Sequence, residues 1–163
     1  MSEIQRIVDQ LQRAFDGDAW LGPSLGATLQ DLSAEQAATQ VLPTAHSIWE
    51  IVLHLTTWIR TVQQRIQEDR LIEVSDATDW PSEPHAADSA AWQQVQAALS
   101  QAHTELLATV ADLSAANLDR QLGSSRNRLQ SAGVSYYVML HGLAQHNLYH
   151  AGQIALLRKA VGA

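Results

Sequence analysis

Apolar residues recur at three- and four-residue intervals along most of this chain, and segments alternating apolar with polar are nearly absent. Ser2 to Asp16 reads as an amphipathic helix with Ile4, Ile7, Val8, Leu11 and Phe15 on one stripe. Gly17, Gly22 and Pro23 interrupt it, and Pro23 suits the start of a further helical segment over Ser24 to Leu32, followed by a short turn at Ser33 to Ala38. A second long helix starts at Ser47, where Ser47 and Glu50 have the spacing of a capping box, and runs to about Asp69 with Ile51, Leu55, Trp58 and Val62 near one face. Leu71 to Ala87 carries Pro81, Pro84 and several acidic residues and reads as a connector. Its roughly seventeen residues reach ~55 Å when extended, enough to cross a helical bundle from end to end. A third helix begins near Asp88 or Ser89, with Trp92, Val95, Leu99, Leu106 and Val110 at helical spacing. Leu113 to Leu122 reads as a turn and short helix opened by Ser114, and Gly123 to Gly133 as a polar loop. The last helix runs from about Val134 to Lys159 with Met139, Leu143, His146, His150, Ile154 and Leu157 in one broad stripe. Four long helices joined by loops predict an all-α four-helix bundle.

Composition narrows the function more than the fold. A length of 163 residues fits one domain, 1–163, and buries enough surface to need no staples. The absence of cysteine excludes disulfides, thiolate metal sites and a cysteine nucleophile, and suits a cytoplasmic location. Residues 1–20 lack the pattern of a secretory signal, and no stretch reaches the ~18 uninterrupted apolar residues of a membrane span. A net charge of −7 opposes binding to phosphate backbones, so neither nucleic acid nor membrane is an expected partner. Arg120, Arg126 and Arg128 beside a turn read as a solvated loop.

The candidate chemistry lies in the histidines. His146 and His150 are four apart on the last helix, so both rings leave one face and can meet a single ion. Seven histidines scattered over 163 positions would produce about 0.3 such pairs by accident, so the pair needs a third member. His54 is the candidate, flanked by Ile51, Leu53, Leu55 and Trp58 on the apolar side of the second helix. A lone histidine there is commonly a hydrogen-bonded core residue, yet three imidazoles in an apolar interior incur a desolvation cost that a metal relieves. Spacing alone leaves both readings open. His46 stands before the second helix, where it reads as a surface residue or as the mouth of a site. His85 in the connector and His103 on the third helix read as solvated, and His141 is rotated away from His146.

Two segments resemble a known family. His46-Ser47-Ile48-Trp49-Glu50-Ile51-Val52-Leu53-His54 is similar to the HSIWE…H signature of the DinB superfamily, and His146-Asn147-Leu148-Tyr149-His150-Ala151-Gly152-Gln153 to its HxxxH-x-GQ motif. The similarity covers nearly the whole chain, including Trp20-Leu21-Gly22-Pro23-Ser24. It implies a four-helix bundle with a long crossover between the second and third helices. It also implies a homodimer, and a divalent ion, commonly nickel or zinc, on His54, His146 and His150. Many members carry His-His-Arg before Gly-Gln, whereas this chain has Tyr149-His150-Ala151, which puts any substrate contact by that arginine in doubt.

Three neutral imidazoles leave an ion with open positions for water or substrate. The chain is not a zinc protease, because the position after the first helix-borne histidine is Asn147 rather than glutamate. Glu50, one turn before His54, can orient that ring or a metal-bound water, or can serve only the capping box. Gln153, three residues after His150, can orient a ligand or bridge helices. Trp58 and Tyr149 are candidates for the walls of a cofactor or substrate pocket, or simple core. The resemblance implies a metal-dependent transferase acting through a low-molecular-weight thiol on a small-molecule substrate. A metal-dependent hydrolase and a non-catalytic, stress-associated dimeric module are the alternatives.

Overall fold

Each α-helix of the computed structural model except the short one at Leu25–Leu29 begins on a side chain that accepts from one of its first free N–H groups. The structure describes residues 1–20, 22–82, 88–123 and 133–163. Helix α1 (Glu3–Phe15) is capped by Ser2, whose hydroxyl accepts from the Gln5 backbone N–H while the Gln5 side-chain Oε1 accepts from Ser2 N–H. The predicted Ser24 to Leu32 segment is a short helix, α2 (Leu25–Leu29), and the predicted turn is a one-turn helix, α3 (Ala34–Ala38), opened by a Ser33/Gln36 capping box. Helix α4 (Ile48–Glu68) starts at the predicted Ser47/Glu50 box. The connector holds another single turn, α5 (Asp76–Asp79), capped by Ser75. Asp88 caps α6 (Ser89–Ala111), a 3₁₀ turn follows at Ala115–Asn117, and Ser135 caps α7 (Tyr136–Ala160). No strand occurs among the described residues, so the fold is all-α.

The four long helices pack in a ring: α1 lies against α6 and α7, and α4 lies against the same two. Ile7, Leu11, Leu55, Ile59, Leu99, Leu106, Leu140 and Ile154 are buried in a continuous apolar core between them. The directions follow from which residues meet. Trp49 and Trp92, near the N-terminal ends of α4 and α6, are in tilted ring contact at 5.1 Å, and Gln63 Nε2 donates to Thr109 Oγ1 (3.3 Å) toward the other ends. These two helices therefore run parallel, and the chain between them must travel the length of the bundle. Helix α7 runs antiparallel to α4, since His54 meets His146 and His150 while Arg65 and Met139 share one cavity wall.

The far end of α4 is tied to the start of α7 by one carboxylate. Asp69 ends α4 in the left-handed region (φ 47°), a conformation aspartate tolerates better than most side chains. Its oxygens accept from Arg120 Nη2 (2.7 Å), Tyr136 Oη (2.7 Å) and Gly123 N–H (3.3 Å). Burial and the bond to Asp69 push the Tyr136 hydroxyl up to about 12. Arg120 is thus half of an ion pair rather than a solvated charge, while Arg126, Arg128 and His85 lie outside the described residues.

His103 corrects the sequence reading. It is not solvated: it is only 3% exposed and stacks face to face on Phe15 of α1 (3.8 Å, 4° between planes). Leu99, His103, Leu106 and Val110 form a three-to-four stripe, and α1 covers the part of it that includes the imidazole. Neither ring nitrogen has a hydrogen-bond partner, and burial pushes the group down from 6.5 to about 4. The unfolded chain then binds one more proton than the fold between those values, so stability is complete above about pH 6.5 and falls as pH drops toward 4. Denaturant unfolding at pH 7 and pH 5 should show the wild type losing about 2 kcal/mol more than His103→Phe, at about 1.4 kcal/mol per pH unit. Parallel curves for the two proteins would refute this assignment.

Candidate metal centre

His54 leaves α4 almost two turns beyond its start, and His146 and His150 leave one face of α7 a turn apart, so antiparallel packing brings the three rings together. His54 and His150 are buried, and His146 is partly buried. One ring nitrogen from each lies within 4.8 Å of the other two, with His54 Nε2 and His146 Nε2 3.0 Å apart. Ligand nitrogens around a tetrahedral zinc stand about 3.3 Å from each other, so only a small adjustment separates this cluster from a coordination site.

The second nitrogens decide which atoms face inward. His54 Nδ1–H donates to the Asp79 carbonyl oxygen (2.8 Å) and lies 3.0 Å from Asp79 Oδ1, while Trp58 Nε1–H donates to that same Oδ1 (2.6 Å). His150 Nδ1–H donates to Gln153 Oε1 (2.6 Å). Both rings therefore turn an unprotonated Nε2 to the centre. His146 Nδ1 is buried without a partner. Burial, followed by the like charge of its histidine neighbours, pushes His146 down to about 4. Burial also brings His150 to about 4, against the opposing pull of its bond to Gln153. Both stay neutral at physiological pH, the form that ligates metals. Convergent ring nitrogens, with the tautomers of His54 and His150 held by hydrogen bonds, fit a divalent cation.

The remaining predicted residues fall into distinct places. Glu50 keeps to its cap: Oε2 accepts from Ser47 N–H (3.0 Å) and pairs with His46 Nδ1 (3.2 Å), and it makes no bond to His54. His46 stacks on Trp80 (3.6 Å, 4°), and Trp80 stacks in turn on His54 (3.9 Å, 9°). His141 packs on Tyr137, away from the triad. Asn147 is fully buried with no hydrogen bond to its amide.

Two cavities open on opposite sides of the triad. The larger, about 560 Å³, is bounded by Leu42, His46, Trp80, Tyr149 and Leu156 and reaches His150 and Gln153. The smaller, about 380 Å³, is bounded by Trp58, Arg65, Asp79 and Met139 and reaches His54 and His146. Tyr149 is 65% exposed, so it stands at the rim of the larger cavity, with its ring edge-on to His150.

Asp79 and Trp80 are absent from the sequence reading. Their signal was the Ser75 cap followed by Asp76-Ala77-Thr78-Asp79, one helical turn, and a tryptophan just before Pro81 in an otherwise polar connector.

A model of the DinB superfamily matches residues 24–154, a span holding all three histidines and Asp79. The chain belongs to the DinB superfamily. A crystal structure described as the conserved protein of locus from Enterococcus faecalis is similar in fold, with a TM-score of 0.66 over 99% of this chain and 98% of that one. Identity between the two is 17%, so the likeness is one of architecture. No curated protein matches the chain.

Elemental analysis of this DinB-superfamily protein should find one divalent ion per chain in the wild type and none in His54→Ala, His146→Ala or His150→Ala. Retention of the ion by all three variants would sink the assignment. Asp79→Ala leaves the backbone carbonyl for His54 and should weaken metal binding by about tenfold, read by competition with a chelating dye.

Proposed function

We propose that the triad holds one nickel or zinc ion and that the protein, with residues 1–163 acting as one domain, is a thiol S-transferase for a small-molecule electrophile. The observation that carries this reading is a three-histidine cluster open on two sides to cavities, the arrangement of a catalytic rather than a closed structural site. A divalent ion held there would lower the pKa of a bound thiol and keep it as thiolate.

The protein's own groups do the rest. Asp79 and Gln153 hold the Nδ1 protons of His54 and His150 and so fix both rings. Trp58 and Tyr149 wall the space on either side for thiol and substrate. The proton the thiol loses passes to solvent through the cavity the thiol enters, while His46, paired with Glu50 and stacked on Trp80, lines the larger cavity. As the sulfur–carbon bond forms, the leaving group departs with the electron pair of the bond it breaks. A carboxylate base for water attack is what the cavities lack among the described residues. Asp79 is committed to His54 and Trp58, and Glu50 to its cap and His46. That disfavours hydrolysis assisted by a carboxylate base and leaves a nucleophile that the ion itself would activate.

Turnover is expected with glutathione, bacillithiol or mycothiol and an alkyl-halide electrophile, and should be lost on chelation and in His150→Ala. Ester cleavage without thiol consumption would replace this reading with a hydrolase. No metal-dependent turnover on either substrate class would leave a non-catalytic module.

We also propose a homodimer through the outer face of α7. Val138, Gly142, Gln145, Tyr149, Gly152 and Leu156 are all exposed on α7 at alternating spacings of four and three, a seam suited to a second helix. A Cβ placed at Gly142 or Gly152 would meet nothing within 4 Å, so another backbone can approach closely. Light scattering should give the mass of two chains for wild type and of one for Val138→Glu/Leu156→Glu; a wild-type mass of 17.9 kDa would overturn the dimer.

A further inference from the structure

The two cavities beside the triad differ in charge, and the difference lies in a residue that neither the motifs nor the proposed mechanism uses. Among the described residues, no Asp, Glu, Lys or Arg lines the larger cavity. The smaller one contains Arg65, one α4 face further along than His54 and Trp58. The Arg65 guanidinium sits over the Trp58 indole, 5.4 Å from the ring centroid, and Trp58 itself lies edge-on to both His54 and His146. Its Nε and Nη2 donate to the Ile72 carbonyl oxygen (3.2 and 2.7 Å), which fixes the plane of the group without neutralising it. No carboxylate among the described residues forms an ion pair with it, whereas Arg13, Arg70 and Arg120 each have one. Partial burial lowers its pKa, the mark of a cation short of solvent. The carboxylate in the same cavity, Asp79, is turned to His54 and the Trp58 N–H.

We propose that Arg65 is the anion-recognition residue of this site. It would bind the carboxylate or similar anionic group of a co-substrate whose other end, an indole's breadth away along Trp58, ligates the ion on His54, His146 and His150. The uncharged cavity on the His150 side then takes the second, apolar reactant. This rests on the metal reading of the triad and divides the substrates by charge: an anionic, metal-seeking co-substrate on the Trp58 side and a neutral electrophile on the Tyr149 side. Arginine suits the role because its guanidinium stays charged when half-buried and presents paired donors to a carboxylate.

The test uses cobalt-loaded protein and two matched pairs of probes, read by the cobalt absorption spectrum. The thiol pair is 3-mercaptopropionate against 2-mercaptoethanol; the thiol-free pair is succinic monohydroxamate against acetohydroxamate. Wild type should bind the anionic member of each pair roughly tenfold tighter than the neutral member. Arg65→Gln keeps an amide donor for Ile72 and should erase that preference while leaving cobalt content and affinity for the neutral probes unchanged. Arg65→Lys should restore part of it. Equal preference in wild type and Arg65→Gln, or no preference in wild type, overturns the proposal. If thiols fail to perturb the cobalt spectrum while the hydroxamates show the Arg65-dependent preference, the thiol reading falls and the anion site stands. If cobalt does not bind to the triad at all, both fall together.

Discussion

Three imidazoles that meet in the contact between two helices must find partners for their nitrogens there or go without. An isolated neutral imidazole offers one donor and one acceptor, and a dry helix interface supplies neither. In this chain the donors of His54 and His150 are taken by Asp79 and Gln153 and their Nε2 atoms turn to the common centre, while His146 Nδ1 goes without a partner. The parallel course of α4 and α6 and the stacking of Trp80 on His54 are what allow that balance to be struck.

His103 makes the contrast within the same molecule. It is as buried as His54 and His150, is pushed down to about 4 as His146 and His150 are, and also lies in an apolar stripe, yet neither nitrogen has a partner and its neighbour is Phe15. Burial alone therefore does not mark a ligand here. Convergence does, together with the hydrogen bonds that select the tautomers of His54 and His150. A core histidine of this kind weakens the fold in acid and gives nothing to a metal.

The long helices were legible because each advertises itself twice, by a stripe at three-to-four spacing and by a serine or aspartate at its start. Ser2, Ser47, Asp88 and Ser135 all cap where helices begin. The one-turn helices α3 and α5 were not, since five or four residues cannot display a period. His146 and His150 could be paired by spacing because one helix carries both. His54 lies 92 positions before His146, and nothing local to it encodes that distance; only the likeness to a family tied them together. Asp79 and Trp80 escaped for the same reason in stronger form: they act through a connector whose path follows from packing. His103 shows the reverse failure, since its stripe was present but only the docking of α1 says which part of α6 is covered.

That the carboxylate orienting His54 is carried by the crossover, and not by a helix of the ring, separates two properties that usually change together. Substitutions in the apolar core trade stability against geometry at every step. Asp79 and Trp80, in contrast, sit on a short turn that packs onto α4 from outside. The reach, polarity and ring contacts of the centre can therefore be rewritten by exchanging a single surface segment, with the scaffold that positions the histidines left untouched. The connector behaves as an interchangeable faceplate over a fixed socket.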